Sequence, residues 1–386
     1  MWAYVLWKVT LTLIKKCRSG LRIPFNGRGL SVLLFIFCFL FSLSSNAAVV
    51  LIYHHVSTSM PKSTSIAPED FEAHMNYLQE NNFRIVPLTE LTESIRKSEL
   101  LPDKTVAITF DDSYRDVYES AYPLLKKRNW PFTFFVNTDL VGKGKLFVTW
   151  NQLGEMSKNG VTIANHSTAH NHMVRLNANE SLADWKKRIV NEITQAQEKI
   201  EKEIGVAPKI FAYPFGEYNT ELKLILKKLG YISFTQQAGA LGVTNDQQIL
   251  PRFPFGGSYT KLEDFKLKVN SFALPVISVN FLSSDGNRLA TNISKAGERP
   301  KLDMTLANIS NAPVISIVSK VNCYLNGEAI PIDRQGAMIK IAFKKSIEQG
   351  RTKITCTAPS SEKGRYYWFS QLWLATDEKG NWTYTN

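Results

Sequence analysis

Two patterns of apolar spacing divide the chain. From residue 48 to about 273, short runs that are apolar throughout alternate with stretches whose apolar residues recur every three or four positions. Runs at 47–53, 83–86, 105–110, 131–136, 161–164, 209–213 and 231–234 read as buried strands. Helices are predicted between them. One opens at Pro68, which suits a first turn, with Phe71, Met75 and Leu78 in line. Others cover 89–97, 118–128 and 220–229, and a long one covers 181–204 with Leu182, Trp185, Ile189, Ile193, Ala196 and Ile200 on one face. Apolar strands alternating with helices predict a parallel sheet covered on both faces, and so many repeats favour a barrel. From about Leu274 the spacing changes to period two, in short runs at 276–281, 302–306, 314–318, 321–325, 338–343 and 353–356 broken by Gly, Asn, Asp and Pro. That pattern predicts a small β-sandwich. The expected fold is therefore an α/β barrel over 48–273 followed by an all-β sandwich over 274–386.

Residues 1–47 stand apart. A basic lead precedes an apolar run of about 14 residues and then Ser45-Asn46-Ala47, the layout of an export signal. The run is shorter than the roughly 20 residues that span a bilayer. Processing after Ala47 or Ala48 is expected, or retention of the segment as a membrane anchor. The protein is then periplasmic, secreted or held at the outer face of the cytoplasmic membrane. Six basic and no acidic side chains lie in this segment, so it carries half of the formal charge of +12. The remaining excess shows no basic run interleaved with aromatics, which argues against nucleic acid as a partner. Cys323 and Cys356 are the only cysteines beyond the first 47 residues, and they fall on two predicted strands. A disulfide in an oxidising compartment is expected.

Candidate chemistry gathers where predicted strands end. His166-Ser-Thr-Ala-His170 follows a strand and places two imidazoles four positions apart, a spacing that lets both reach one ion. Asp111-Asp112 closes another apolar strand. Buried carboxylates need a cation or strong donors, and neighbours on an extended chain point oppositely. One carboxylate can bind a metal while the other faces water; helix capping is the alternative reading of the pair. Strand-end chemistry is also the habit of (β/α) barrels. Ser113 and Ser167 have no triad around them. Trp150, Tyr259 and the aromatic run 365–373 fit either sugar stacking or core packing.

Together Thr109-Phe-Asp-Asp112, His166-Ser-Thr-Ala-His170 and Tyr213-Pro-Phe-Gly216 resemble three signature motifs of the polysaccharide deacetylase family, over roughly residues 49–270. The resemblance implies a distorted (β/α) barrel that hydrolyses N-acetyl groups. It implies Asp111 as general base and Asp112, His166 and His170 as ligands of a divalent metal, usually zinc. It implies an oxyanion donor at Phe215, with Tyr213 beside it. Two positions depart from the family pattern. Ala212 stands where an arginine usually pairs with the base, and Arg252 is the candidate to supply that charge. No histidine follows His172, so the acid that protonates the leaving amine falls to His54 or His55. The Tyr53-His-His-Val56 lead resembles the subgroup acting on biofilm poly-N-acetylglucosamine, an exopolysaccharide. The expected partner is therefore an N-acetylglucosamine polysaccharide, with peptidoglycan or chitin-like chains as the rival substrates. An inactive glycan-binding envelope protein is the alternative from another class.

Overall fold

A computed structural model describes residues 48–308 and 313–382; the export segment expected over 1–47 lies outside them. Eight strands form one parallel sheet: β1 (Ala48–Tyr53), β2 (Arg84–Ile85), β3 (Thr105–Phe110), β4 (Thr133–Val136), β5 (Thr162–Asn165), β6 (Ile210–Ala212), β7 (Ile232–Phe234) and β8 (Phe253–Pro254). Their order is β8-β1-β3-β4-β5-β6-β7, with β2 pairing the start of β3. β1 and β3 are buried along their whole length, as strands covered on both faces must be. The segment around β8 joins the two ends of the sheet. Leu250 exchanges backbone hydrogen bonds with Ser233 and Thr235 at the end of β7, while Phe253 pairs with Leu51 of β1. A distorted α/β barrel results.

Local chemistry sets the helices. Pro68 opens the Pro68–Glu80 helix, which buries Phe71, His74, Met75 and Leu78. Thr149 and Gln152 form a reciprocal capping box on Trp150–Lys158, and the Ser181 hydroxyl caps Leu182–Ile204. That long helix buries Trp185, Ile189, Ile193, Ala196 and Ile200, but Leu182 is 52% exposed at its first turn. The helix expected over 118–128 opens instead as a widened π turn, Val117–Ala121, before Tyr122–Lys127. Pro123 has no N–H to offer and its ring crowds the carbonyl four residues back.

Two further sheets follow. One is six-stranded and includes Asn322–Leu325, Gly350–Pro359 and Tyr366–Thr376; the other has four strands, among them Val276–Leu282, Lys301–Leu306 and Met338–Ala342. Cys323 and Cys356 face each other across adjacent strands and are bonded. One expected strand is a helix: Val314–Val318. It buries Val314, Ile317 and Val318 and leaves Ile315 57% exposed, a helical spacing that a five-residue apolar run does not reveal beforehand. A contiguous apolar core runs from Val49 and Leu51 in the barrel to Leu302 and Trp373 in the second region. Arg365 reinforces the junction, pairing with Asp103 at 2.6 Å and donating to the Asn270 carbonyl. Among the described residues, no helix is long and apolar enough to cross a membrane.

Candidate active site

Three strand ends deliver the expected cluster. β3 ends at Phe110 and the chain then turns sharply, with Asp112 and Ser113 in the left-handed region at φ 74° and 61°. β5 ends at Asn165 and leads into His166, with Ser167 and His170 also left-handed at 69° and 58°. β6 ends at Ala212 before Phe215, at φ 58°. Residues other than glycine pay for this backbone region and persist there only when their surroundings dictate it. Those surroundings are present. Ser113 Oγ accepts from Asn137 N at 2.8 Å, and the Asn137 amide donates to the His166 carbonyl. Asn165 Oδ1 accepts from Ser167 N, and Ser167 Oγ accepts from His170 N.

Asp112, His166 and His170 offer ligand atoms that all lie within 4.8 Å of one another. His166 Nδ1–H donates to the Ala212 carbonyl at 2.8 Å, which fixes the tautomer and leaves the Nε2 lone pair 3.1 Å from Asp112 Oδ1. His170 Nε2 lies 3.1 Å from the same oxygen, yet it is buried and has no hydrogen-bond partner among the described residues. Lone pairs converging on one point, with a buried nitrogen orphaned beside a carboxylate, fit a divalent cation. The electrostatics agree. Burial pulls the His166 imidazole down, but Asp111 and Asp112 lift it above its ordinary value. Burial alone would raise Asp112; the facing His166 and His170 imidazoles, with His54 beside them, hold it well below the usual carboxylate range.

Asp111 is buried and clamped by Arg252, whose Nη1 and Nη2 donate to Oδ1 and Oδ2 at 2.8 and 2.7 Å. Arg252 is equally buried and also donates to Thr109 Oγ1 and the Thr235 carbonyl. Burial pushes the Asp111 carboxyl up, but Arg252 and then His166 bring it below its ordinary value. Asp111 Oδ2 lies 3.9 Å from His166 Nε2. The charge absent at Ala212 thus arrives on the segment that closes the barrel.

The two histidines after β1 part company. His54 Nε2 lies 4.0 Å from Asp112 Oδ2 and 3.4 Å from Gln236 Nε2, and burial lowers its proton affinity against the pull of Asp112 and Asp111. His55 is held elsewhere: Nδ1 meets Asp116 Oδ2 at 2.6 Å and the ring stacks on Tyr114. Adjacent residues leaving a strand point oppositely, so only His54 joins the cluster. Tyr213, expected on the substrate side, is instead turned into the core, where its hydroxyl donates to the Gln248 carbonyl at 2.8 Å. Phe215 does sit at the cluster, its ring 4.3 Å from His170 and stacked on His172 at 3.7 Å.

Four participants were not anticipated. Gln236 approaches His54, and Asp116 holds His55. Buried Glu217 binds His172 Nδ1 at 2.9 Å, and Arg351 of the second region donates to the Phe215 carbonyl at 3.1 Å with its Nε 3.7 Å from Glu217. Glu217 directly follows the third motif, so its position was a usable signal. Nothing local marks Arg351, which lies 136 residues from Phe215.

Comparison with known proteins is consistent with this geometry. A family model described as polysaccharide deacetylase matches residues 99–234. The Bacillus subtilis (strain 168) protein YxkH is 31% identical over 195 residues, 50% of this chain and 65% of that one. The poly-beta-1,6-N-acetyl-D-glucosamine N-deacetylase of Escherichia coli (strain K12) is 27% identical over 248 residues, 54% of this chain and 36% of that one. The chain therefore spans less than two thirds of the length of both. The solved Streptococcus pyogenes deacetylase PplD superposes with a TM-score of 0.50 at 24% identity, over 56% of this chain and 95% of that one, a likeness of fold.

Proposed function

From the premise that this chain carries a polysaccharide deacetylase domain, we propose that it is a metal-dependent hydrolase removing N-acetyl groups from a β-linked N-acetylglucosamine polysaccharide. Residues 48–273 form the catalytic domain on this reading and 274–386 an accessory one. The observation that carries it is the convergence of His166 Nε2, orphaned His170 Nε2 and the Asp112 carboxylate beside an arginine-clamped Asp111. The activity for which the Escherichia coli relative is named favours a poly-N-acetylglucosamine substrate, and with it a place at the cell envelope.

The roles proposed here combine the family resemblance with the geometry that supports it. A divalent cation held by Asp112, His166 and His170, zinc by the family's habit, supplies Lewis acidity at the acetamide carbonyl. Asp111 is the general base. Arg252 keeps it ionised and oriented, and Oδ2, the oxygen nearer His166, takes the proton of the attacking water. The backbone N–H of Phe215 stabilises the oxyanion, an arrangement that typically accounts for ~10²–10³ in rate per donor. His54, beside Asp112 and Gln236, returns a proton to the leaving amine.

The test is metal content and acetate release measured together on β-1,6-linked N-acetylglucosamine oligomers, before and after chelation. About one metal per chain and chelator-sensitive acetate release are expected. Acetate release unaffected by chelation would remove the metal from the mechanism. Glycan retention with neither metal nor acetate would replace the enzyme with a binding protein.

A further inference from the structure

Between the barrel and the second region lies a cleft of about 540 Å³ that shares no residue with the catalytic cluster. One wall carries Tyr259 and Lys268, and the other carries Tyr324, Lys353, Tyr366 and Trp368. Asparagine and threonine side chains fill in between, and no carboxylate lines it. Lys268 is only 6% exposed, and its ammonium sits over the Tyr259 and Phe255 rings at 4.4 and 5.0 Å. Neither Lys268 nor Lys353 has a carboxylate partner among the described residues. A desolvated ammonium with no carboxylate in contact is costly, and a second one facing the same space adds to that cost. Burial, and then the neighbouring Lys353, pull Lys268 down to about 8 against an opposing influence from Asp264.

We infer that this cleft binds an acidic saccharide, whose anionic group meets Lys268 and Lys353 while its ring stacks on the tyrosines. Exposed tyrosine faces suit the C–H face of a sugar, and a concave site with few polar groups suits a small ligand. The position suits a polymer. Lys353 and Arg351 lie two residues apart on one face of the Gly350–Pro359 strand, about 7 Å along it. Arg351 reaches the Phe215 carbonyl, so a chain leaving the cleft along this strand arrives at the catalytic rim. The cationic lining also disfavours a glucosammonium unit, the product of deacetylation. Binding here does not require turnover, so it stands or falls separately from the catalytic reading.

The experiment is calorimetric titration of the full chain at pH 7 with four probes. These are a hyaluronan hexasaccharide, a chondroitin sulfate hexasaccharide, a neutral N-acetylglucosamine hexamer and a glutamate hexapeptide. At least one acidic saccharide should bind tenfold or more tightly than both the neutral hexamer and the peptide. The tighter of the two acidic probes identifies carboxylate or sulfate-like acid as the recognised group. Lys268→Met and Lys353→Gln should each cut that affinity at least tenfold while leaving acetate release from a neutral trimer unchanged. Asp111→Asn should leave it untouched. Equal affinity for the neutral hexamer or the peptide would overturn the inference. So would wild-type affinity in Lys353→Gln, the variant at the less buried position and the safer for folding.

Discussion

At the scale of single residues, the site is a set of charges that depend on one another. Asp111→Asn keeps the shape of the carboxylate and removes its proton affinity, so metal content should stay near one per chain while turnover falls by several orders of magnitude. His170→Ala should lose both, and unchanged metal content in that variant would sink the ligand assignment. Arg252 carries a different kind of consequence. Its pair with Asp111 is fully buried on both sides. Removing one member of such a pair typically costs about 3–5 kcal/mol, because the other is left as an uncompensated charge. Arg252→Met should therefore destabilise the protein by that order in urea, and adding Asp111→Asn should recover much of the loss. Additive losses would mean that the pair is not coupled as the geometry implies.

Elements hold these residues through backbone shapes that few side chains tolerate. Gly216, at φ +66°, leaves no room for a side chain: a Cβ there would lie 2.7 Å from Gln236 Cβ and 2.8 Å from its backbone nitrogen. Gly216→Ala should push Gln236 away from His54 and lower kcat by tenfold or more with metal still bound; a wild-type rate would detach Gln236 from the site. The Pro68–Glu80 helix contributes a separate, pH-dependent term. His74 accepts from the Tyr53 hydroxyl on Nδ1, donates to the Thr260 carbonyl from Nε2, and stacks on Phe265. Burial lowers its pKa from 6.5 to about 4. Below 6.5 the unfolded chain binds a proton that the folded one refuses, so stability falls as pH drops from 6.5 towards 4, by of order 2–3 kcal/mol. His74→Phe should flatten that slope in urea midpoints measured across the range. An unchanged slope would assign it to other groups. Elements of this kind were legible where apolar runs were long or capped, as in β1, β3 and the Leu182–Ile204 helix. The Val314–Val318 run was too short to declare its period, and Pro123 altered a turn that spacing alone would have continued.

For the whole molecule, the two regions share a core, a partly buried arginine–aspartate pair at the junction and, at the rim of the candidate site, one side chain. Arg351 crosses from the second region to the Phe215 carbonyl and approaches Glu217, which in turn holds His172. Arg351→Ala should lower kcat/KM on the polymer by a few-fold to about tenfold with metal content unchanged. An unaffected value would leave the accessory region without influence on the rim. Contacts of this range explain what sequence could and could not reveal. The proposed ligands and base sit at strand ends inside recognisable motifs, so their meeting was legible. The Arg252–Asp111 pair spans 141 residues: the sequence offers Arg252 as the candidate for the charge missing at Ala212, and only the fold brings the two side chains together.

That source has a bearing on how related chains are sorted. A sequence survey that scores the position of Ala212 for arginine would file this chain among degenerate, non-functional copies. The counter-charge comes instead from Arg252, on the segment that closes the barrel, and reaches the Asp111 carboxylate through both of its terminal nitrogens. On the proposed function, a tally of inactive copies drawn up from motif integrity alone would wrongly include any chain whose base is paired from a distant segment in this way.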